Sequence, residues 1–283
     1  MTSTIQKNRA IQFRNMHSGS PILVLPNAWD AASARILEQA GFPAIATTSS
    51  GVAASLGYPD GQYISRDMLI EVVQHITRVV ACPVTVDIEA GFGKTIHEVL
   101  QTIELIIEAG AVGINIEDTT KEEEGGLVEI SYQVELLKAI QELASSMDTP
   151  LVINARTDVY LLPSGDSTSR LEQAVQRGMA YLQAGADCFF PIGAGDAQTI
   201  GDLTTAIHGP INILAIPTSP SIAELAQLGV ARVSFGSGQM RAVLGHLKRI
   251  AHELLEQGAY TSMTEEMISG AELQALFSIG TGT

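Results

Sequence analysis

Two carboxylates stand two residues apart at the end of an apolar run: Asp87 and Glu89 in VDIEAGFG, residues 86–93. Side chains of an extended strand alternate faces, so residues i and i+2 point the same way. Like charges side by side repel unless one is protonated or a cation lies between them. A third carboxylate, Glu117, ends the next apolar run, GINIE at 113–117. Asp118 follows directly, so only one of the two faces inward, and Glu117 is assigned there because it shares the face of Asn115. Three acids converging on one rim predict a hard divalent cation with oxygen ligands, Mg²⁺ or Mn²⁺ rather than zinc. The competing reading of Asp87 and Glu89 is a pair of solvated acids, or caps for the following helix.

The same alternation puts Asn154, Arg156 and Asp158 of NARTD on one face. An arginine across from a cation suits bidentate capture of a carboxylate or phosphonate. Its alternative is an internal ion pair with Asp158 or Glu117. TTSSG, residues 47–51, reads as a small-residue loop whose hydroxyls and backbone N–H groups suit an anionic carboxylate. GFGKT at 91–95 ends like a phosphate loop, but Ile88 stands where that pattern needs its first glycine, so Gly91 and Gly93 are read as letting backbone pass close to the cation. Asp30 is expected to cap a helix, and Trp29 to be a lid or packing residue. No histidine falls at a strand end. Cys82 and Cys188 both begin apolar runs, far from the rim, which disfavours a nucleophilic thiol.

These groups need a scaffold that gathers strand ends. Eight short β-branched runs recur: ILVL at 22, AIATT at 44, VTVDIE at 84, GINIE at 113, LVINART at 151, CFFPIG at 188, INILAI at 211 and RVSFG at 232. Stretches of helical period, such as TIHEVLQTIELIIEA, lie between them. Gly41, Gly110, Gly185 and Gly229 each follow such a stretch and precede a strand, the position of a left-handed helix cap. Repeated βα units imply a parallel sheet, and eight close into a (β/α)₈ TIM barrel whose site lies at the C-terminal strand ends. An open doubly wound sheet is the alternative, but the early strands lack a Gly-x-Gly-x-x-Gly turn. Residues from about 237 to 283 read as extra C-terminal helices that could pack on a partner subunit. No linker or composition break divides the chain, so residues 1–283 are taken as one domain.

At 283 residues such a barrel buries roughly 75% of its unfolded surface. Acids outnumber bases 31 to 16, a field that repels nucleic acid and anionic membrane surfaces. No apolar run reaches the ~20 residues of a spanning helix, and no leader-like segment opens the chain. A cytoplasmic protein acting on a small anionic substrate is expected.

Taken together, PNAWDAASARILEQAGFPAIATTSSGVAASLGYPDGQ, VDIEAGFG, GINIED and NARTD, in that order within residues 26–158, resemble the isocitrate lyase and phosphoenolpyruvate mutase superfamily. The resemblance implies a (β/α)₈ barrel, Mg²⁺, a homo-oligomer, dimer or tetramer, that can swap C-terminal helices, and chemistry through an enolate of a 2-oxo acid. It implies that Asp87 is the main metal-side acid, with Glu89, Glu117 and Asp60 in the same network. Thr48, Ser49 and Ser50 then grip the substrate carboxylate, and Arg156 binds its anion. The chain departs from the carbon–carbon lyases where they carry a Lys-Lys-Cys-Gly-His loop: TTKEEEGGLVEI, residues 119–130, has no cysteine or histidine. Phosphonomutases have a longer loop with lysine and an Asn-Ser pair, and here only Lys121 is available.

The expected activity is a Mg-dependent lyase or decarboxylase acting on a small 2-oxo or 2-hydroxy dicarboxylate through an enolpyruvate-type intermediate. Decarboxylation needs no protein base at the bond-breaking step, and water or Tyr58 would supply the later proton. The alternatives are a phosphonate P–C mutase or hydrolase, and a non-catalytic 2-oxo acid binding protein.

Overall fold

The computed structural model describes residues 3–18, 20–120, 126–163 and 166–277. Its strands are β1 (Leu23–Leu25), β2 (Asn27–Ala28), β3 (Ile45–Thr47), β4 (Val84–Asp87), β5 (Gly113–Glu117), β6 (Val152–Thr157), β7 (Cys188–Pro191), β8 (Asn212–Leu214) and β9 (Arg232–Ser234). Every expected run becomes a strand, and β2 is an addition. All pairings are parallel: β2 to β7 join in chain order, and β1 joins β9, which joins β8.

Two seams close the ring. At the first, β1 and β2 are one stave broken at Pro26, which has no N–H to donate but whose carbonyl accepts from Ala46 N at 2.9 Å. At the second, Phe189 of β7 bridges in parallel to Ile211, and its N–H donates to Pro210 O at 2.9 Å. The chain is therefore a (β/α)₈ barrel, as its pattern predicted.

The helices around it are α1 (Thr4–Asn15), α2 (Ala31–Gln39), α3 (Ser49–Ser55), α4 (Arg66–Val79), α5 (Ile96–Glu108), α6 (Ile130–Ser146), α7 (Ser167–Gln183), α8 (Ala197–Ala206), α9 (Ile222–Gln227), α10 (Gly238–Gln257), α11 (Thr261–Thr264) and α12 (Gly270–Leu276). In α5 the buried residues Val99, Ile103, Ile106 and Ile107 recur at helical spacing and face the barrel. Its start is a capping box of Thr95 and Glu98. The four glycines after α2, α5, α7 and α9 take φ between 85° and 106°, the left-handed caps expected of them. Asp30 caps α2 through Ser33 N at 2.7 Å.

The polar N-terminus forms α1, whose Phe13 plugs the bottom of the barrel beside Leu23, Leu25, Ala46, Val112 and Val152. Burying that ring stabilises the fold by about 1.5–3 kcal/mol. Beyond the last strand, α12 returns to α2, where Arg35 Nε donates to Leu276 O at 2.7 Å. On α10 Val243, Leu247, Leu254 and Leu255 remain exposed, the last at 87%. No helix among the described residues is long and apolar enough to cross a membrane.

Candidate active site

A cavity of about 280 Å³ opens at the C-terminal strand ends and runs down the barrel. Its charged lining residues are Asp60, Asp87, Arg156 and Arg232; histidine, cysteine, lysine and tyrosine are absent from its described lining. Thr85, Asn115, Asn154, Asn212 and Ser234 give it a polar interior, while Leu161, Phe190, Ile192 and Leu214 supply apolar wall.

Asp87, the last residue of β4, is held from several sides. Its N–H donates to Thr47 Oγ1 at 2.9 Å, Oδ1 accepts from Asn115 Nδ2 at 2.9 Å, and Oδ2 accepts from Ser49 N at 3.1 Å. Asn154 Nδ2 donates to Asn115 Oδ1 at 2.7 Å, so two amides in series, buried on β5 and β6, orient the carboxylate.

Glu89 does not share this environment. The strand ends at Asp87, and Glu89 has φ +50°, which breaks the alternation on which the expectation rested. Its side chain is buried outside the cavity lining, where Oε1 accepts from Gln62 N at 3.0 Å. Gly91 and Gly93 have a different role from the one expected. A Cβ on Gly91 would meet Val99 Cγ1 at 2.6 Å, and one on Gly93 would meet Glu98 Cβ at 2.6 Å, so the two let the loop lie against the first turn of α5.

Glu117 faces inward, as the pleat argument required, but it meets a guanidinium: Arg156 Nη1 lies 3.0 Å from its Oε2 across the β5–β6 register. Asp158 takes Arg156 Nε at 2.6 Å and Nη2 at 2.9 Å. Both versions of the expected internal ion pair therefore form. Burial opposes the charge of Arg156, but Glu117 and Asp158, with a further contribution from Asp87, hold its pKa above the ordinary arginine value. Three of its five N–H groups are engaged, and the side chain still lines the cavity. Asp118 points the other way, toward α7: it accepts from Arg177 Nη1 at 3.0 Å, Tyr181 Oη at 2.8 Å and Asp158 N at 3.1 Å.

The TTSSG stretch is a helix start rather than a loop. Thr48 caps α3, and Ser49 and Ser50 form its first turn at the cavity wall. Asp60 joins the wall; Tyr58, two residues earlier, is exposed and outside the lining. Lys121 lies outside the described residues. Burial pushes the thiols of Cys82 and Cys188 up to about 12, in Cys82 with the help of Glu38, and neither lines the cavity.

Sequence reasoning missed the deep end. Arg232 and Asn212 are register partners on β9 and β8, each 2% exposed or less, and both line the cavity. The available signal was a cation and an amide inside runs that otherwise read as buried strand.

A divalent ion is not caged by the acids as expected. Among the described residues no three histidine, cysteine, aspartate or glutamate side chains stand together to hold a metal ion. The donors nevertheless fit a hard ion that keeps its own waters, which needs only one or two carboxylates. Asp87 and Asp60 are the two on the wall, beside hydroxyl and amide oxygens and with no soft ligand in the described lining.

The profile of the phosphoenolpyruvate phosphomutase family matches residues 13–255. A Burkholderia cenocepacia J2315 structure provisionally described as a lyase/mutase is 36% identical, covers 98% of both chains and superposes with a TM-score of 0.90. The 2-methylisocitrate lyase of Escherichia coli K12 is 29% identical over 86% of this chain and 83% of its own. The 2,3-dimethylmalate lyase of Eubacterium barkeri is 30% identical over 65% of this chain and 63% of its own.

Proposed function

The chain belongs to the isocitrate lyase and phosphoenolpyruvate mutase superfamily, and on that premise we propose that it is a lyase or decarboxylase of a small 2-oxo or 2-hydroxy dicarboxylate, dependent on Mg²⁺ or Mn²⁺. The single observation that carries this reading is Asp87 fixed by Asn115 and Ser49 N on a cavity wall that also presents Arg156. Asp87, with Asp60 facing the same space, would hold the ion. When bound, the ion supplies Lewis-acid stabilisation of negative charge on the 2-oxo oxygen.

The chain's own residues perform the rest. Arg156 offers its uncommitted N–H groups to a substrate carboxylate, and its three carboxylate bonds lock the guanidinium plane so that little rotamer entropy is lost on binding. The first turn of α3, Ser49 and Ser50 after the Thr48 cap, supplies hydroxyl and N–H donors beside it. Leu161, Phe190 and Ile192 keep water from the middle of the substrate. With no histidine, thiol, lysine or tyrosine in the described lining, a bond cleavage whose electrons flow into the 2-oxo group suits the site better than general-base chemistry. That favours 2-oxo over 2-hydroxy substrates, since the latter must first give up the hydroxyl proton. Water is the proton source in this scheme, since Tyr58 stands outside the lining. The exposed apolar residues of α10 support a homo-oligomer.

The test is a proton and phosphorus NMR screen with Mg²⁺ over oxaloacetate, substituted malates, methylisocitrate and phosphonopyruvate, repeated with Asp87→Ala. Carbon–carbon cleavage lost in the variant is expected. Turnover indifferent to Asp87 would overturn the proposal, and phosphate release from phosphonopyruvate would favour phosphonate chemistry, the reading nearest the matched family's description.

A further inference from the structure

The deep end of the cavity contains a cation that the proposed chemistry does not use. Arg232 is 2% exposed, lines the cavity, and its Nε has no hydrogen-bond partner among the described residues. Among the described residues the side chain within hydrogen-bond reach is His17, whose Nε2 lies 3.5 Å from Nη1. His17 Nδ1 is 2.9 Å from Phe13 O, so that nitrogen carries the proton and Nε2 presents a lone pair. Burial, with the charge of Arg232, lowers the His17 pKa to about 4, so the ring is neutral at physiological pH. Cys188 is near but protonated, and Asn212 and Ser234 are uncharged. Burial lowers the guanidinium pKa to about 10, against partial compensation from Cys188 and Asp87, so it stays charged at neutral pH.

A buried guanidinium without a close counter-ion is costly. Other polar atoms of the residues lining this cavity also have no partner among the described residues: Thr85 Oγ1, Asn154 Oδ1 and Asn212 Oδ1. All three residues line the same cavity, and Asn212 and Asn154 are wholly buried. Unpaired donors and acceptors in the lining of a solvent-connected cavity are what a polar ligand would satisfy. The Arg232 Cα lies four residues before Gly236 at the rim, roughly 13 Å along a strand, and its long side chain covers part of that depth.

We propose that Arg232 is a second anion anchor, which takes the inner carboxylate of a diacid whose outer end is held by Arg156 and the start of α3. Asn154 and Asn212 carbonyls then accept from a hydroxyl or an ordered water beside that carboxylate. The inference rests on the cavity being the substrate site, and it makes Arg232 the residue that selects diacids over monoacids.

Malate and lactate are matched probes, both 2-hydroxy acids and differing by one carboxylate. Calorimetric titration in Mg²⁺ should give malate at least about tenfold tighter than lactate, the factor expected from one charge-assisted hydrogen bond. In Arg232→Met that preference should vanish while lactate affinity holds. Asn212→Asp, which places a carboxylate opposite Arg232, should also abolish it by internal competition and serves if the first variant does not fold. A wild-type protein without the preference, or a variant that keeps it, overturns the inference. A purely structural arginine would shift thermal stability and leave the ratio unchanged. Loss of preference without turnover in the NMR screen would leave Arg232 standing and remove the lyase reading; turnover with an unchanged preference would do the reverse.

Discussion

Removing the carboxylate of Asp118 tests whether the site is supported from behind as the geometry implies. Asp118 is fully buried and accepts three hydrogen bonds, from Arg177, Tyr181 and the N–H of Asp158. In Asp118→Ala the Arg177 guanidinium, 9% exposed, loses its counter-ion, and breaking one partner of such a pair costs 3–5 kcal/mol. Arg177 keeps Val128 O at 3.0 Å and Tyr181 Oη at 2.8 Å, which puts the loss at the low end, about 3 kcal/mol. That is a large part of the 5–15 kcal/mol a domain has, and in a chain of this size it is worth roughly 5–10 °C in melting temperature. Urea unfolding and thermal scans measure it. The double variant Asp118→Leu with Arg177→Met removes both charges and should recover to within about 1 kcal/mol of wild type. Because Asp118 positions the backbone of Asp158, and Asp158 clamps Arg156, the single variant should also raise KM for an anionic substrate more than it lowers kcat. A loss below about 1 kcal/mol, or a double variant no more stable than the single one, would refute the reasoning.

His17 gives a pH signature. With its pKa lowered from 6.5 to about 4 by burial and Arg232, the unfolded chain takes up the proton first as pH falls. Its contribution to stability is therefore complete above pH 6.5 and is lost between there and about pH 4, with about 2 kcal/mol gone at pH 5 relative to pH 8. Stability against pH for wild type and His17→Gln should differ in slope between pH 6.5 and 4 and run parallel below about pH 4. The apolar face of α10 should hold copies together: light scattering should find wild type heavier than a monomer, and Leu247→Glu with Leu255→Glu should shift it toward the monomer mass. A monomeric wild type would remove the homo-oligomer from the proposal.

The barrel was legible because its signals are local. Each strand is a short β-branched run, and each returning helix ends on a glycine that must take positive φ, as Gly41 and Gly110 do. Asp30 as a cap, Glu117 as the inward member of its pair and the Arg156 ion pairs followed from side-chain chemistry and the two-residue pleat. The same pleat misled at Glu89, because nothing in a non-glycine residue announces a left-handed turn where the strand has already stopped. TTSSG was read as a loop because a seven-residue helix started by a threonine cap has too few turns for its period to register. Arg232 and Asn212 escaped because their value lies in facing each other across β8 and β9, a relation between residues twenty apart that a single run cannot display.

Asn27 carries a consequence for synthesis. Its Nδ2 donates to Thr47 O at 2.9 Å, while its Oδ1 accepts from Phe235 N at 2.8 Å and Gly236 N at 3.0 Å. One amide near the start of the chain thus fastens the first stave to its neighbours on both sides, and one of those neighbours is more than 200 residues away. A polypeptide released short of Gly236 already holds Asp87 and Arg156 but has no last stave to complete the circle, and so no enclosed chamber. Protection by a bound diacid would then be absent from every product that ends before this stave is made.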